Sequence, residues 1–294
     1  MDAGERRGRS ARPHQLPGRA RQLQVTGLRL LFFFAAVLFG GCAYLSEKQG
    51  ELIFRPAKET WWAQVRDDAY PERWIKVGGN GDKVHAWWLP NENANAPAVL
   101  YFHGARWDLR ASASRIERWR RLGFSVLAVD YRGFGKSTEI APSEQSAAED
   151  AEAAWRELVA LTPDHRHLIV GHSLGGAIAV ELAAKHPEAA GLVLESTFTS
   201  VADMVNESPW GFLPVTLILT QKFDALSRIR DVKMPVVIAH GTNDRTVPFR
   251  MGERLFAAAP SPKRFIKVEG GTHHNLSGAG FAQYQQALRE LKLN

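Results

Sequence analysis

Three short stretches hold residue types that together perform nucleophilic catalysis. GHSLGG (171–176) sets Ser173 in the middle of a G-x-S-x-G pattern, after the apolar run HLIV and before the helix-forming run AIAVELAAK. In that setting a sharp strand-to-helix turn exposes the serine oxygen beside a helix N-terminus that favours negative charge. A serine is a weak nucleophile by itself and needs a base, which in turn needs an acid to orient it. HGTNDRTVP supplies Asp244 just past one apolar run, and EGGTHHN supplies His273 and His274 just past the next. Ser, then Asp, then His is the chain order this chemistry requires on such a sheet. Asp224 and Asp231 compete for the acid role, but neither ends an apolar run. His273 is preferred as base on its Gly-Gly-x-His spacing, with His274, followed by Asn275, kept as the alternative. The oxyanion needs two N–H donors. Their expected sources are Leu174, directly after the serine, and Ala105, after the His103-Gly104 turn.

These residues need a scaffold that brings distant strand ends together. Short runs at 73–79 and 83–90, bounded by Gly, Asn and Pro, read as an antiparallel hairpin. Buried strands are expected near 96–104, 124–133, 167–173, 190–197, 235–244 and 263–271, with helices near 111–122, 143–161, 174–185, 251–259 and 280–291. This alternation predicts an α/β fold with a mostly parallel sheet covered on both faces. Residues 197–234 interrupt it with Trp210, Phe212, Leu213, Leu217, Ile218, Leu219 and Phe223, which suits a small cap over a site.

YFHG (101–104), DYRGFGKS (130–137), PSE (142–144) with DA (150–151), GHSLGG, HGTNDRTVP and EGGTHHN occur in one order over roughly residues 50–290. With LIFRP (52–56), they resemble the α/β-hydrolase superfamily, and within it the small lysophospholipase-like and serine-aminopeptidase-like group. The resemblance implies an eight-stranded sheet, the triad Ser173, Asp244 and His273, and no cofactor. It says little about substrate; acyl transfer on a carboxylic ester is the leading expectation, and the 38-residue cap at 197–234 suits a small or medium acyl chain. Peptidase or thioesterase activity on the same triad is the alternative, as is an envelope scaffold lipoprotein that keeps the fold without catalysis. Glu139-Ile140 and His274 depart from the usual pattern of the group.

The remaining chemistry is excluded or confined to the leader. Gly135-Lys136-Ser137 ends like a phosphate loop, but Asp130 stands where that loop needs glycine. His165, His167 and His172 read as loop or turn residues without ligand spacing, His103 as structural, and no metal site is expected. Of the formal charge of +6, residues 1–29 carry 7 − 2 = +5, leaving +1 for 30–294, so no nucleic-acid groove is expected. The Arg-rich leader is followed by LLFFFAAVLFGGC, which ends at Cys42, the only cysteine. Residues 1–42 read as a signal with a lipoprotein-type box, placing the domain outside the cytoplasm on a lipidated Cys42, with an uncleaved signal anchor as the alternative. The hydrolase domain is expected over 43–294.

Overall fold

The apolar pattern of each strand reports its place in the sheet. AVLYF, SVLAV and GLVLE are buried at every position, as strands covered on both faces must be, whereas ERWIKV and KRFIKV alternate exposed and buried residues. In the computed structural model the alternating pair are the two edges and the fully buried strands lie between them. The structure describes residues 48–57, 65, 70–209, 211–212 and 214–294, with isolated positions at 29, 32–33, 40–41 and 44. Cys42 lies outside the described residues, and among those described no helix is long and apolar enough to cross a membrane.

Among the described residues the eight strands are β1 (Glu72–Val77), β2 (Asp82–Leu89), β3 (Ala98–Phe102), β4 (Ser125–Val129), β5 (His167–His172), β6 (Gly191–Glu195), β7 (Val236–Gly241) and β8 (Lys263–Val268). They form one sheet in the order β1-β2-β4-β3-β5-β6-β7-β8. β2 runs antiparallel to both β1 and β4, and all other pairings are parallel. The expected hairpin therefore closes one edge, and the expected parallel sheet follows it. Parallel strands require crossovers, so every βα loop that follows a parallel strand emerges at the same sheet edge. That common edge collects Ser173, Asp244 and His273.

Helical residues 48–54 (α1) precede the sheet. One face is covered by α3 (Glu144–Leu161), α4 (Leu174–Lys185) and α7 (Phe249–Ala258), which pack Trp155, Ile178, Leu182 and Leu255 into one core. The other face is covered by α2 (Leu109–Arg121) and α9 (Phe281–Glu290), whose Ile116, Trp119, Tyr284 and Leu288 form a second core. The α3 start is set by Ser143, whose side chain accepts the Ser146 N–H in a reciprocal capping box.

Residues 197–234 fold as short helical pieces: α5 (Val201–Asn206), a 3-10 turn Pro214–Ile218, α6 (Ala225–Arg228) and a second 3-10 turn Ile229–Asp231. Their ends are core residues, with Phe198, Val201, Phe223, Ile229 and Met234 buried, while Phe212 and Leu217 are 78% and 84% exposed. Two polar side chains hold the middle in place. The Gln49 amide donates to the Ile218 carbonyl at 2.7 Å and accepts from the Thr220 N–H at 2.7 Å. Glu144 accepts from the Lys222 and Phe223 N–H groups, each at 2.7 Å. Buried Gln49 thus satisfies backbone groups that no ladder reaches. Replacing it with alanine leaves those groups unpaired and is expected to destabilise the fold by roughly 1–3 kcal/mol. Urea unfolding of Gln49→Ala, with limited proteolysis mapped to 209–222, measures both the loss and its location.

Candidate active site

Ser173 directly follows β5 with φ 55° and ψ −120°, a left-handed backbone that a serine adopts only when its surroundings over-determine it. The chain turns there directly from β5 into α4. Gly175 makes the turn possible, because a Cβ at that position would overlap the Phe102 and His103 carbonyls of the neighbouring β3 end. The Ser173 N–H donates to the Glu195 carbonyl at 2.8 Å, tying the turn to β6.

His273 lies in the loop after β8, with Nε2 3.1 Å from Ser173 Oγ and Nδ1 2.8 Å from Asp244 Oδ2. A carboxylate only accepts, so Nδ1 carries the proton and Nε2 is left as the acceptor for the serine hydroxyl. Asp244 follows β7. Its other oxygen, Oδ1, accepts from the Thr246 N–H at 2.9 Å and the Val247 N–H at 2.8 Å. Burial pushes the Asp244 carboxyl up. The hydrogen bond and charge of His273 and the Val247 N–H outweigh that, and hold it below the ordinary carboxylate range. The structure thus brings Ser173, His273 and Asp244 into one hydrogen-bonded line.

His274, the alternative base, is exposed, and its ring stands perpendicular to that of His273 at 5.4 Å. Among the described residues it makes no side-chain hydrogen bond to Ser173 or Asp244. Asp224 instead caps α6 through the Ser227 N–H, and Asp231 pairs with Arg228, so neither competitor is near the serine's partner histidine.

The loop after β3 passes close to the serine: a Cβ on Gly104 would lie 3.2 Å from the Ser173 Cβ. Neither the Ala105 N–H nor the Leu174 N–H donates to a protein acceptor among the described residues. LIFRP acquires a purpose here. The Phe54 carbonyl accepts the Arg106 N–H, and the Ala57 N–H donates to the Arg106 carbonyl, both at 2.8 Å. Arg106 is held at φ 79° between these bonds. Behind the same loop, the His103 ring contacts the Gly104 carbonyl at 2.7 Å and faces Asp130 at 3.3 Å. His103 is therefore structural, as its position after β3 suggested.

His172 departs from its reading as a loop or turn residue. It is the buried last residue of β5, and its Nε2–H donates to the His273 carbonyl at 3.1 Å. Burial, with Arg115 and His273 nearby, drives its pKa well below the usual imidazole value, so the ring is neutral. Arg115 and Glu195 were not singled out by motif or spacing. Arg115 donates through Nη2 to the His273 carbonyl at 3.1 Å and the His274 carbonyl at 3.0 Å. The signal for both was present as charges set in apolar patterns: Arg115 beside Ile116 on the buried face of α2, and Glu195 closing the apolar strand GLVLE. Among the described residues no group of His, Cys, Asp and Glu is placed to hold a metal ion.

Residues 93–226 match the family described as serine aminopeptidase, S33. An uncharacterized protein of Mycobacterium tuberculosis is 38% identical over 200 residues, covering 67% of this chain and 70% of its own. The alpha/beta hydrolase domain-containing protein WAV2 of Arabidopsis thaliana is 28% identical over 279 residues, covering 85% of this chain and 89% of its own. A lysophosphatidylserine lipase of Rattus norvegicus is 31% identical over 222 residues; the match takes in 68% of this chain and about half (54%) of the lipase. Among solved structures, a Pyrococcus furiosus esterase superposes with a TM-score of 0.64 at 16% identity, covering 80% of this chain and 96% of that one. At that identity the likeness is one of fold.

The depressed Asp244 carboxyl has a consequence for stability. A folded-state pKa below the unfolded value stabilises the fold at neutral pH. That contribution is lost as the pH falls below the ordinary value of 3.8 and through the folded one. Asp244→Asn removes this titration. Its unfolding free energy is expected to vary less than that of the wild type between pH 6 and the acid limb, and parallel acid profiles for the two proteins would contradict the assignment.

Proposed function

The chain belongs to the α/β-hydrolase superfamily, in its serine aminopeptidase-like group, and on that premise we propose that it is a serine hydrolase that cleaves carboxylic esters by acyl transfer. The observation that carries the reading is the line Ser173–His273–Asp244, with its 3.1 Å and 2.8 Å contacts, assembled from residues after three different strands. Ser173 Oγ attacks the ester carbonyl while His273 Nε2 takes its proton. Asp244 holds the ring in the Nδ1–H tautomer and stabilises the imidazolium that forms. The N–H groups of Ala105 and Leu174 receive the developing oxyanion, a role supported by their having no protein acceptor among the described residues. Collapse of the tetrahedral intermediate expels the alcohol, which takes the proton from His273. The acyl-serine is then hydrolysed by water, with His273 as base once more.

The lipase description of a similar protein favours a carboxylic ester, and the short insertion at 197–234 suits a small or medium acyl chain. The aminopeptidase description of the matching family favours a second reading, hydrolysis of an N-terminal amide on the same triad. Aminoacyl and simple p-nitrophenyl substrates compared side by side separate the two. The protein's expected place is a membrane outside the cytoplasm, reached through lipid on Cys42. Intact mass of membrane-extracted protein should then show loss of residues 1–41 and gain of lipid, and an unmodified Cys42 on an intact leader would instead indicate a signal anchor.

The catalytic assignments are tested together. A fluorophosphonate probe should label the wild type and not Ser173→Ala. Hydrolysis of p-nitrophenyl butyrate should fall by several orders of magnitude in His273→Ala, whereas His274→Ala should keep turnover of the same order as the wild type. The reverse ranking transfers the base role to His274, and a folded wild type that neither labels nor hydrolyses any substrate rejects the enzyme.

A further inference from the structure

The backbone of the base loop is held by a residue that the acyl-transfer scheme does not use. Arg115 projects from the buried face of α2, 158 positions before His273 in sequence, and its Nη2 donates to two consecutive carbonyls, those of His273 and His274. Its Nε faces Glu195 Oε2 at 4.0 Å, and Arg118 Nη2 faces Glu195 Oε1 at 3.8 Å. The Glu195 side chain is fully buried, with the Tyr284 hydroxyl beside it and no guanidinium within hydrogen-bond distance of its oxygens among the described residues. Two guanidiniums thus surround one carboxylate in the interior. Burying charge is unfavourable by several kcal/mol per ion unless it is compensated, and apolar side chains of similar size serve packing as well or better. Arg115 therefore calls for an explanation other than packing, and its two carbonyl contacts supply one.

Glu195 also connects this charge cluster to the nucleophile. Its backbone carbonyl accepts the Ser173 N–H at 2.8 Å, while its side chain faces the cation that grips the base loop. The His273 carbonyl is also tethered by the His172 Nε2–H at 3.1 Å, and the Gly271 carbonyl by the Asn243 N–H at 2.9 Å. We propose that Arg115, set against Glu195, is a positioning residue that fixes the 273–274 backbone so that the first of two adjacent imidazoles meets Ser173 and the second points away. The guanidinium is suited to this because it is planar, always charged and presents donors in a rigid fork. A displacement of the base by about 1 Å is enough to lose roughly 100-fold in rate. The inference rests on the acyl-transfer reading of Ser173 and deepens it.

The test uses the whole chain, p-nitrophenyl butyrate and three variants checked for folding by circular dichroism and thermal melting. Arg115→Ala is expected to lower kcat roughly 10- to 100-fold, with KM within about twofold, the pattern of a lost transition-state geometry rather than lost binding. Millimolar guanidinium should restore part of that kcat, which sodium at equal ionic strength should not do. Arg118→Ala removes the same charge beside the same carboxylate without touching the loop, and should keep kcat near the wild type. Arg115→Lys retains the cation but not the fork, so it decides the matter if the alanine variant does not fold; its kcat should fall between the other two. Wild-type kcat in a folded Arg115 variant, or an equal loss in Arg118→Ala, overturns the inference while leaving the hydrolase reading intact. A wild type that is neither labelled nor active overturns both.

Discussion

Ser173 is confined to a backbone conformation that disfavours any residue with a Cβ by about 1–3 kcal/mol, and much of the surrounding structure serves to keep it there. The Glu195 carbonyl takes its N–H, the Gly176 N–H returns to its carbonyl, and Gly175 lies against the Phe102 and His103 carbonyls. The last contact requires β3 and β5 to be neighbours, which they are in the sheet order. Because the turn is this tight, the α4 N-terminus lies directly after the serine, and among the described residues the Leu174 N–H has no protein acceptor. The same proximity brings Gly104 within van der Waals reach of Ser173, so the Ala105 loop borders the serine as well.

Both loops that border Ser173 are irregular, and each is braced from behind by buried polar groups rather than by apolar packing alone. On the β3 side, Asp130 faces His85 and His103 and accepts the Leu109 N–H at 2.9 Å, and the Tyr131 hydroxyl donates to the His103 carbonyl at 2.8 Å. Burial pushes the Asp130 carboxyl up, and the two histidines more than reverse this, so the group sits below the usual range and remains a charged anchor. On the β8 side, Arg115 and His172 hold the His273 carbonyl, and Asp244 holds the ring. Loops carry unpaired carbonyls and N–H groups that helices and strands do not, and in a buried site those groups must find side-chain partners. Such partners fix a loop as firmly as a ladder fixes a strand.

The insertion at 197–234 is built differently. Its two ends belong to the main core through Val201, Ile229 and Met234, and only its middle projects with Phe212 and Leu217 exposed. Gln49 and Glu144 anchor that middle by its backbone, so its side chains are free to be apolar without being packed. Residues 197–234 thus serve both as core filler at their ends and as an exposed segment between them, two roles that hydrophobicity alone does not separate.

Several features were legible in the sequence because they depend on local chemistry. Fully apolar strands such as AVLYF declared themselves central, since burial on two faces dictates the pattern, whereas 263–271, expected as a buried strand, is the half-exposed edge strand β8. The serine elbow, the chain order of acid and base, and the β3 loop followed from glycine placement beside apolar runs. His172 was misread because a histidine at the end of an apolar strand has no local mark of what it faces. The Gly-Gly-x-His spacing favoured His273 over His274 without showing why, because adjacent loop residues differ only in direction, and direction is set by Asp244, Arg115 and His172 from 29, 158 and 101 positions away. Gln49 reaches its carbonyl partner across 169 positions. The central strands and the order of the reactive residues follow from local pattern, because hydrophobic period and turn chemistry are short-range. The contacts that bring His273 to the serine, and the buried charges that hold it, emerge on folding alone, because they join segments that no local pattern relates.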